Sequence, residues 1–268
     1  MRPLHRIGFA MTNISKPPLT IFMHIPKTAG TSLREYLTCH YGDQIFYDYE
    51  GELRLSNPNP AFIERVKSSR CKAIIGHLSF GVHEFFPDYE VRYATFLRSP
   101  VQRVISHCLH VAREPRSRHY ALIRDGMKLG DFIRSHRAPE QNNHLVRLMS
   151  ADKFRVDLWP PNPDDDIGQI DQVFAKEHLD ISIFRLRTHF DFIGIVENFS
   201  SDLVTLVAKI GQPDNSACIP VPRLNEAPSK YQVTYEELAI ITQYNKLDIA
   251  IYEDVLSGAI APKLVGGK

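Results

Sequence analysis

The chain has 268 residues, of which 43% are hydrophobic and 24% are charged, an ordinary globular composition that excludes a collagen, a coiled coil and a disordered chain. Lys and Arg number 32 and Asp and Glu number 31, so the net charge of +1 argues against general nucleic-acid binding, which needs a strong positive excess. No apolar run reaches the roughly 18–20 residues of a membrane span.

Cysteine usage and the N-terminal residues bear on the compartment. The four cysteines are Cys39, Cys71, Cys108 and Cys218. They show no CxxC spacing and are too sparse for a disulfide scaffold, so we expect buried free thiols in a reducing compartment. Residues 1–18 lack the apolar core of a signal peptide and are interpreted as a loose leader before a single domain at 19–268. A soluble, cytoplasmic protein is therefore predicted.

The first predicted elements are a strand and a helix joined by a short loop. The apolar run Thr20–Ile25 is predicted as a buried strand, which Pro26 ends. Apolar residues recur at three- and four-residue steps over residues 31–40, which predicts a helix with Thr31 as its N-cap. Residues 43–60 look irregular because they contain an Asn-Pro-Asn-Pro run. A strand, a glycine-containing loop and a helix are typical of the start of an α/β nucleotide-binding unit.

The rest of the chain continues this alternation of strands and helices. Further strands are predicted at 72–75, 91–97 and 192–196. Helices are predicted at 61–69, 100–112, 169–179, 200–210 and 234–257, with helical pieces over 119–150. The alternation favours the α/β class, with a central, mainly parallel sheet between two layers of helices.

The junction between the first strand and the first helix has the composition of an anion-binding loop. Its residues are Lys27, Thr28, Ala29, Gly30, Thr31 and Ser32. Small residues let an anion approach the N–H groups and partial positive charge of a helix N-terminus, and a lysine adds a mobile charge. An ordinary turn with an N-cap fits the stretch equally well. It is not a Walker A loop, because Lys27 precedes the glycine and no magnesium ligand is obvious nearby.

A second basic position follows the third predicted strand. Arg98 ends that strand, and Ser106 lies eight residues later on the next helix. A guanidinium binds phosphate in bidentate fashion, so two anion sites at the ends of neighbouring strands would suit a nucleotide with phosphates at both ends. A surface arginine and an ordinary helical serine are the alternative interpretation.

Together these motifs resemble the PAPS-dependent sulfotransferases of the family related to heparan sulfate 2-O-sulfotransferases. Ile25–Ser32 looks like that family's 5′-phosphosulfate loop, Leu97–Ser106 is similar to its 3′-phosphate motif, and Gly76–Phe80 resembles the segment with the catalytic histidine. The similarity spans roughly residues 20–256 and is closer to soluble, bacterial-type relatives. It implies the sulfotransferase fold, a P-loop-like α/β/α architecture, with PAPS (3′-phosphoadenosine 5′-phosphosulfate) as donor and PAP as product.

The resemblance also implies roles for individual residues. Lys27 and the loop Thr28–Ser32 would hold the 5′-phosphosulfate, and Lys27 would stabilise the leaving phosphate oxygen. Arg98 and Ser106 would hold the 3′-phosphate and select PAPS over plain nucleotides. His77 would take the proton from an acceptor hydroxyl, a task that suits an imidazole whose pKa is near neutrality.

Four further residues receive weaker interpretations. His24 is assigned to packing, since it lies inside the first predicted strand. His83 and Glu84 are weaker candidates for contact with the acceptor, because they lie near His77 in the sequence. Lys230, in the loop before the last helix, is a weak candidate contact to PAPS.

Other functions stay open at this point. A metal site at His107, Cys108 and His110 is disfavoured because no second ligand pair with zinc-like spacing occurs. A kinase-like phosphotransferase lacks the Walker A order and an obvious acidic magnesium ligand. A nucleotide-binding module without catalysis would have His77 buried away from the nucleotide. The acceptor is defined only by its hydroxyl, and it belongs to a carbohydrate, a lipid or a small metabolite.

Overall fold

The structure, a computed structural model, describes residues 16–135, 138–151, 172–210 and 232–262. Within these ranges five strands form one sheet in the order β2-β3-β1-β4-β5, and every neighbouring pair is parallel. The strands are β1 (Pro18–Met23), β2 (Ile45–Asp48), β3 (Ala73–Gly76), β4 (Glu90–Leu97) and β5 (Phe190–Ile195). The predicted leader lies almost wholly outside the described residues.

Ten α-helices lie within the described ranges. They are α1 (Gly30–Tyr41), α2 (Pro60–Ser68), α3 (Pro100–Val111), α4 (Tyr120–Arg124), α5 (Leu129–Ser135), α6 (His144–Ser150), α7 (Gln172–His189), α8 (Phe199–Ile210), α9 (Tyr235–Tyr244) and α10 (Lys246–Leu256). The starts of α2 and α9 have ordinary side-chain caps, from Asn59 and Thr234 respectively.

The sheet sends alternate side chains into two apolar layers. In β1, Leu19, Ile21 and Met23 pack with residues of α2, α6, α7 and α10 on one face. Phe22 points to the opposite face and packs with residues of α1 and α8. Because both faces are covered by helices, the predicted three-layer α/β/α architecture with a mainly parallel sheet is confirmed.

The strand order places a crevice at the carboxyl edge of the sheet. The chain leaves β1 towards the β2 side and leaves β4 towards the β5 side, although β1 and β4 are neighbours. Connections that diverge from adjacent parallel strands open a crevice between them, where open α/β sheets bind ligands. The loop after β1 and Arg98 after β4 border this crevice, and His77 follows β3, the other neighbour of β1.

Three predictions about the elements are wrong. The helix predicted at 169–179 continues to His189 in α7. Residues 45–48 form the edge strand β2 inside the stretch that was expected to be irregular. The long helix predicted at 234–257 breaks at Asn245, which separates α9 from α10. The Asn245 amide nitrogen donates to the carbonyl oxygens of Gln141 and Ile241, at 2.9 and 2.8 Å, and its oxygen accepts from the N–H of Asn143 at 3.1 Å. The buried Asn245 side chain therefore links distant segments of the chain, and the helix is interrupted at this residue.

The cysteines agree only in part with the expectation of free thiols. Cys71 and Cys108 are free and buried, and burial raises the pKa of each thiol to about 12. Cys39 takes part in a disulfide bond, so the expectation is wrong for that residue. Free thiols were one reason for predicting a cytoplasmic protein, and the disulfide bond of Cys39 removes that reason. In the part of the chain that the structure describes, no helix has the length and apolar character to cross a membrane.

Candidate active site at the carboxyl edge of the sheet

The loop between β1 and α1 has an unusual backbone. Lys27 and Ala29 have φ angles of 72° and 60°, in the left-handed region that residues other than glycine rarely adopt. Between them, Thr28 donates both its N–H and its hydroxyl to the carbonyl oxygen of Ile25, at 3.2 and 2.7 Å. The sequence thus fixes a strained turn by local hydrogen bonds just before the helix.

The start of α1 differs from the predicted start. Ala29 occupies the N-cap position, and no side chain caps the helix within the described residues. Thr31 lies exposed in the first turn, so its prediction as the N-cap is wrong. Gly30 and Ser32 are buried beneath the loop. The partial positive charge of the helix N-terminus is therefore left without a side-chain cap, as an anion-binding site requires.

Arg98 reaches this loop from the neighbouring strand. Its Nη1 donates to the carbonyl oxygen of Lys27 at 3.4 Å. The pKa of the Lys27 ammonium is lowered from 10.5 by burial and by the nearby charges of Arg113 and Arg98. Lys27 and Arg98 therefore carry like charges at the start of α1, and a bound anion would relieve their repulsion. Arg98 and Thr28 also line one small cavity, which Tyr252 of α10 completes.

The chain beyond Arg98 is held by an acidic residue. The N–H of Ser99 donates to Oε1 of Glu197 at 3.0 Å. Glu197 also forms a hydrogen bond with the Tyr252 hydroxyl, and burial raises the pKa of that hydroxyl to about 12. The end of β4 is consequently fixed on both sides, by the loop after β1 and by Glu197.

Ser106 is half-buried in the middle of α3. Ser106 and His110 are four residues apart on α3, so they share a face of the helix. The pKa of His110 is lowered by burial and then by the charge of Lys27. The assignment of Ser106 to the 3′-phosphate stays a prediction.

His77 follows β3 and is held by both neighbouring strands. Its N–H donates to the carbonyl oxygen of Asp48 at 3.1 Å, and the preceding carbonyl, of Gly76, accepts from the N–H of His24 at 2.9 Å. A Cβ on Gly76 would lie 1.9 Å from the Asp48 oxygen, so only glycine fits there. The backbone before the imidazole is therefore fixed against β1 and β2.

The protonation state of His77 suits a base. The residue is exposed to solvent, but the surrounding protein displaces enough water to lower the pKa of its imidazole below 6.5. The carboxylates of Glu140 and Asp48 oppose this shift without cancelling it. His77 is therefore neutral at neutral pH, and a neutral imidazole has the lone pair that proton abstraction needs.

His24 belongs to the site rather than to the strand. Because β1 ends at Met23, His24 begins the loop, and its assignment to packing inside a strand is wrong in position. The centroid of its ring lies 5.1 Å from that of His77 and 5.8 Å from that of Tyr49. Burial, followed by the charges of His77, Lys27 and Arg34, lowers its imidazole pKa to about 3. In the sequence, the one sign that His24 lies in the loop was its position two residues before Pro26.

A second group of titratable side chains lies close by. His107 and Glu140 approach within 3.8 Å, between Nε2 and Oε2. Burial opposes ionisation of Glu140, yet the neighbouring His107 and His144 hold its carboxyl pKa at about 2. Sequence reasoning missed Glu140 and His144 and considered His107 only as a metal ligand. Among the described residues, no group of three or more His, Cys, Asp or Glu side chains is placed to hold a metal ion.

The weaker candidates lie elsewhere. The Nδ1 atom of His83 is 2.9 Å from the hydroxyl oxygen of Tyr93, and its ring packs against Phe80. The structure thus pairs His83 with β4 rather than with His77. Glu84 follows it in a short 3₁₀ turn. Lys230 falls outside the described residues, so its assignment stays a prediction.

Comparisons with known proteins add little to this geometry. No known family model matches the sequence, and no curated protein is significantly similar to it. Among solved structures, the chain is similar to mouse sulfotransferase SULT7A1 complexed with PAP, at 13% identity and a TM-score of 0.43. The match covers 85% of this chain and 64% of that one, less than two thirds of its length. Similarity at this level assigns no function, and the resemblance to heparan sulfate 2-O-sulfotransferases stays a prediction.

Proposed function

We propose that this chain is a PAPS-dependent O-sulfotransferase, which moves a sulfuryl group from PAPS to a hydroxyl of an acceptor. The observation that carries the proposal is the contact between Arg98 and the Lys27 carbonyl at the uncapped start of α1, at the same edge of the sheet as the imidazole of His77. Cations around a helix N-terminus favour a multiply charged anion. A neutral imidazole at the same edge of the sheet favours proton transfer.

The residues present suit a donor with anionic groups at both ends. Lys27 and the loop Thr28–Ser32 would hold the 5′-phosphosulfate, because a lysine and a helix N-terminus both attract it. Arg98 and Ser106 would hold the 3′-phosphate. Since Arg98 contacts the carbonyl of Lys27 at 3.4 Å, one nucleotide can be held by both residues. The donor supplies a sulfuryl group attached to a good leaving group, a phosphate oxygen.

The side chains then have distinct tasks during transfer. His77 takes the proton of the acceptor hydroxyl as its oxygen bonds to sulfur, while the bond between sulfur and the phosphate oxygen breaks. Lys27 stabilises the negative charge that develops on that leaving oxygen. The products are a sulfate ester, PAP and a protonated His77, which returns its proton to solvent because the residue is exposed. The acceptor is expected to approach from this exposed side.

The placement of His77 also favours an enzyme over a binding module. A module without catalysis would have the imidazole buried away from the nucleotide. Instead, His77 is exposed and lies against His24, whose ring touches the position of Gly30 in the loop. A kinase-like phosphotransferase stays the alternative enzyme, and it is distinguished by ATP turnover and dependence on magnesium.

The proposal is tested by binding and by transfer. Isothermal titration calorimetry is expected to show PAP binding at least about tenfold more tightly than AMP, since each hydrogen bond to a charged group contributes about 1.5–3 kcal/mol. Incubation with sulfur-35-labelled PAPS and a pool of hydroxyl-bearing metabolites should give labelled esters without added magnesium. Equal affinity for PAP and AMP would contradict the assignment of the 3′-phosphate site. Magnesium-dependent turnover of ATP without transfer from PAPS would replace the proposal by the kinase.

A further inference from the structure

A second cavity lies at the amino edge of the sheet, at the opposite end of the strands from the proposed active site. Its volume is about 140 Å³, and it is lined by residues near the starts of β1, β4 and β5, by Lys72 just before β3, and by the ends of α1 and α8. An apolar cavity of about 150 Å³ holds one benzene ring. The amino-edge cavity therefore has room for a single six-membered ring, and the proposed reaction makes no use of it.

The floor of the amino-edge cavity is set by the register of the sheet. Thr20 of β1 lies directly opposite Arg92 of β4, and Ala94 of β4 lies opposite Phe192 of β5. Since alternate residues of a strand share a face, Thr20 lies on the same face as Phe22, which packs with α1 and α8. Ala94 also lines the cavity, and its methyl group fills less of the space between the sheet and these helices than a larger side chain would.

The walls add aromatic and aliphatic surface without negative charge. Tyr41 lines the cavity from the end of α1, and Leu206 and Ile210 line it from α8. The Tyr41 hydroxyl forms a hydrogen bond with the Thr20 side chain, and burial raises the pKa of this hydroxyl above its ordinary value of 10.0. The ring of Tyr41 is held edge-on against Phe22, with centroids 6.5 Å apart. These neutral walls suit an aromatic ring, which packs on both aliphatic and aromatic side chains.

The residues around the cavity carry more positive than negative charge. Three basic residues line it, Lys72, Arg92 and Lys209, against one acidic residue, Asp191. Arg92 already donates from Nη2 to the Glu90 carboxylate at 3.1 Å, so that pair is neutral as a unit. Two lysines then outnumber one aspartate, which leaves a single excess positive charge. A ligand with one negative charge would balance it.

The ends of two helices limit the charge that the cavity can accept. α1 ends at Tyr41 and α8 ends at Ile210, so both helices present their carbonyl ends to this side of the sheet. The carbonyl end of a helix carries partial negative charge and opposes a nearby anion, in contrast to the N-terminal end that attracts phosphate. A phosphate dianion therefore exceeds the available positive charge, whereas a carboxylate matches it.

We propose that the amino-edge cavity is a binding site for a small aromatic monocarboxylate, whose ring enters between the sheet and the ends of α1 and α8 and whose carboxylate is held at the rim by Lys72 and Lys209. An apolar pocket with a few polar groups that fix orientation is the usual form of a small-molecule site. The site shares no residue with the proposed active site and does not depend on the proposed function.

The test uses the full chain and two fluorinated probes of nearly equal size. 4-Fluorobenzoate carries the carboxylate, and 4-fluorobenzyl alcohol is its neutral counterpart. Binding is followed by fluorine NMR of each probe and by methyl NMR of isoleucine- and leucine-labelled protein. Lys72→Met and Lys209→Met each remove a charge but keep an unbranched side chain, and Ile210→Trp fills the cavity from the end of α8. Lys67→Met is the matched control, because this half-buried lysine lies on α2, against the opposite face of the sheet.

The expected result separates the ring from the charge. 4-Fluorobenzoate should bind saturably and about tenfold more tightly than the alcohol, since a hydrogen bond to a charged group contributes about this factor. The methyl signals of Leu206 and Ile210 should shift, and those of Ile25 beside the active-site crevice should not. K72M and K209M should each weaken the benzoate about tenfold and leave the alcohol unchanged. I210W should abolish binding of both probes, and K67M should match the wild type.

Three outcomes would overturn the proposal. The first is the absence of saturable binding of 4-fluorobenzoate to the wild type. The second is equal affinity for the acid and the alcohol, or benzoate binding that K72M and K209M leave intact, because either would remove the role of the lysines. The third is benzoate binding that Arg98→Ala abolishes, which would place the carboxylate in the active-site crevice. Circular dichroism of each variant verifies that it is folded, and the two lysine variants decide the question if I210W is not.

Discussion

Two polar regions border the carboxyl half of the sheet, and they differ in how the starts of their helices are capped. In the network that joins α6 to α10, the Asp248 carboxylate accepts from the N–H groups of Leu145 and Val146, at 3.0 Å each. The Asn143 amide oxygen accepts in return from the N–H groups of Leu247 and Asp248, at 3.0 and 3.2 Å. Each helix start is therefore capped by a side chain from the other segment.

The crevice at the ends of β1 and β4 is built in the opposite way. Its loop holds Lys27 and Ala29 in left-handed conformations, its helix start has no side-chain cap, and both nitrogens of His24 lack a partner within the described residues. The comparison teaches that capping side chains exchanged between segments hold helices together here, whereas a strained loop and an uncapped helix start mark the place for a ligand. Loss of a residue should cost activity in the crevice and stability in the network.

The largest expected effect comes from the crevice. His77→Ala should lower kcat about 10²–10⁴-fold, the usual contribution of a general base. Affinity for PAP should be retained, and the free energy of unfolding should change by no more than about 0.5 kcal/mol, because the side chain is exposed. Transfer assays, calorimetry and urea denaturation measure the three quantities. A variant with full activity would assign the base to another residue.

The network should show the reverse behaviour. Asp248→Ala should lower the free energy of unfolding by about 3–5 kcal/mol, because it removes the charge partner of a buried arginine as well as a helix cap. The partner is Arg103, whose Nη2 lies 3.8 Å from the Asp248 carboxylate. Activity per folded molecule should fall less than in the His77→Ala variant, because Asp248 lines the small cavity beside Arg98 but is not the base.

Urea denaturation of this variant is compared with that of Asp88→Ala, which changes an exposed aspartate and should shift stability by no more than about 0.5 kcal/mol. If D248A were as stable as D88A, the network between α6 and α10 would not contribute to the stability of the fold.

A smaller effect is expected within the crevice. Arg98→Ala should weaken PAP binding about tenfold to a hundredfold and leave AMP binding nearly unchanged, because the lost contact is to the 3′-phosphate. Arg92→Ala is the matched control, since Arg92 lies on the same strand at the opposite edge of the sheet and pairs with Glu90 at 3.1 Å. Calorimetry with both ligands checks the result, and an equal loss for PAP and AMP would speak against a 3′-phosphate contact.

The smallest expected effect is a shift in pH dependence. Since the base acts when deprotonated and burial lowers the pKa of His77 below 6.5, kcat should rise with pH and reach half of its maximum below pH 6.5. The Glu140 carboxylate stabilises the protonated form of His77, so Glu140→Gln should move this limb to lower pH. Activity should fall again at alkaline pH as Lys27 loses its proton, below its ordinary pKa of 10.5. If the acidic limb of the pH profile moved to higher pH in E140Q, the Glu140 carboxylate would not be stabilising the protonated form of His77.

Local sequence patterns predict most of the fold and the outline of the site. The three strands that precede Lys27, His77 and Arg98 are predicted within two residues of their observed bounds, because each is a short apolar run ended by proline, glycine or arginine. Parallel strands then bring the residues after them to one edge. For this reason, the amino-acid sequence is enough to group Lys27, His77 and Arg98, although their roles stay proposals.

The features that the sequence does not predict depend on contacts between distant residues. The edge strand Ile45–Asp48 is recognisable only through its pairing with β3. The break at Asn245 depends on the Gln141 carbonyl, 104 residues earlier in the chain. His24 looks like part of the strand because the apolar run continues past it to Ile25, whereas β1 itself ends at Met23. Periodicity reports which residues are apolar, but it does not report which partner their backbone meets.

The exchange of caps between α6 and α10 has a consequence during synthesis on the ribosome. Asn143 and Asp248 are 105 residues apart, so the first turn of α6 emerges long before the carboxylate that completes it. We expect a nascent chain that stops before α10 to leave α6 loosely docked, and consolidation of α6 to await the emergence of α10. Pulse proteolysis of stalled chains of increasing length would reveal this as protection that arises only once α10 has left the exit tunnel.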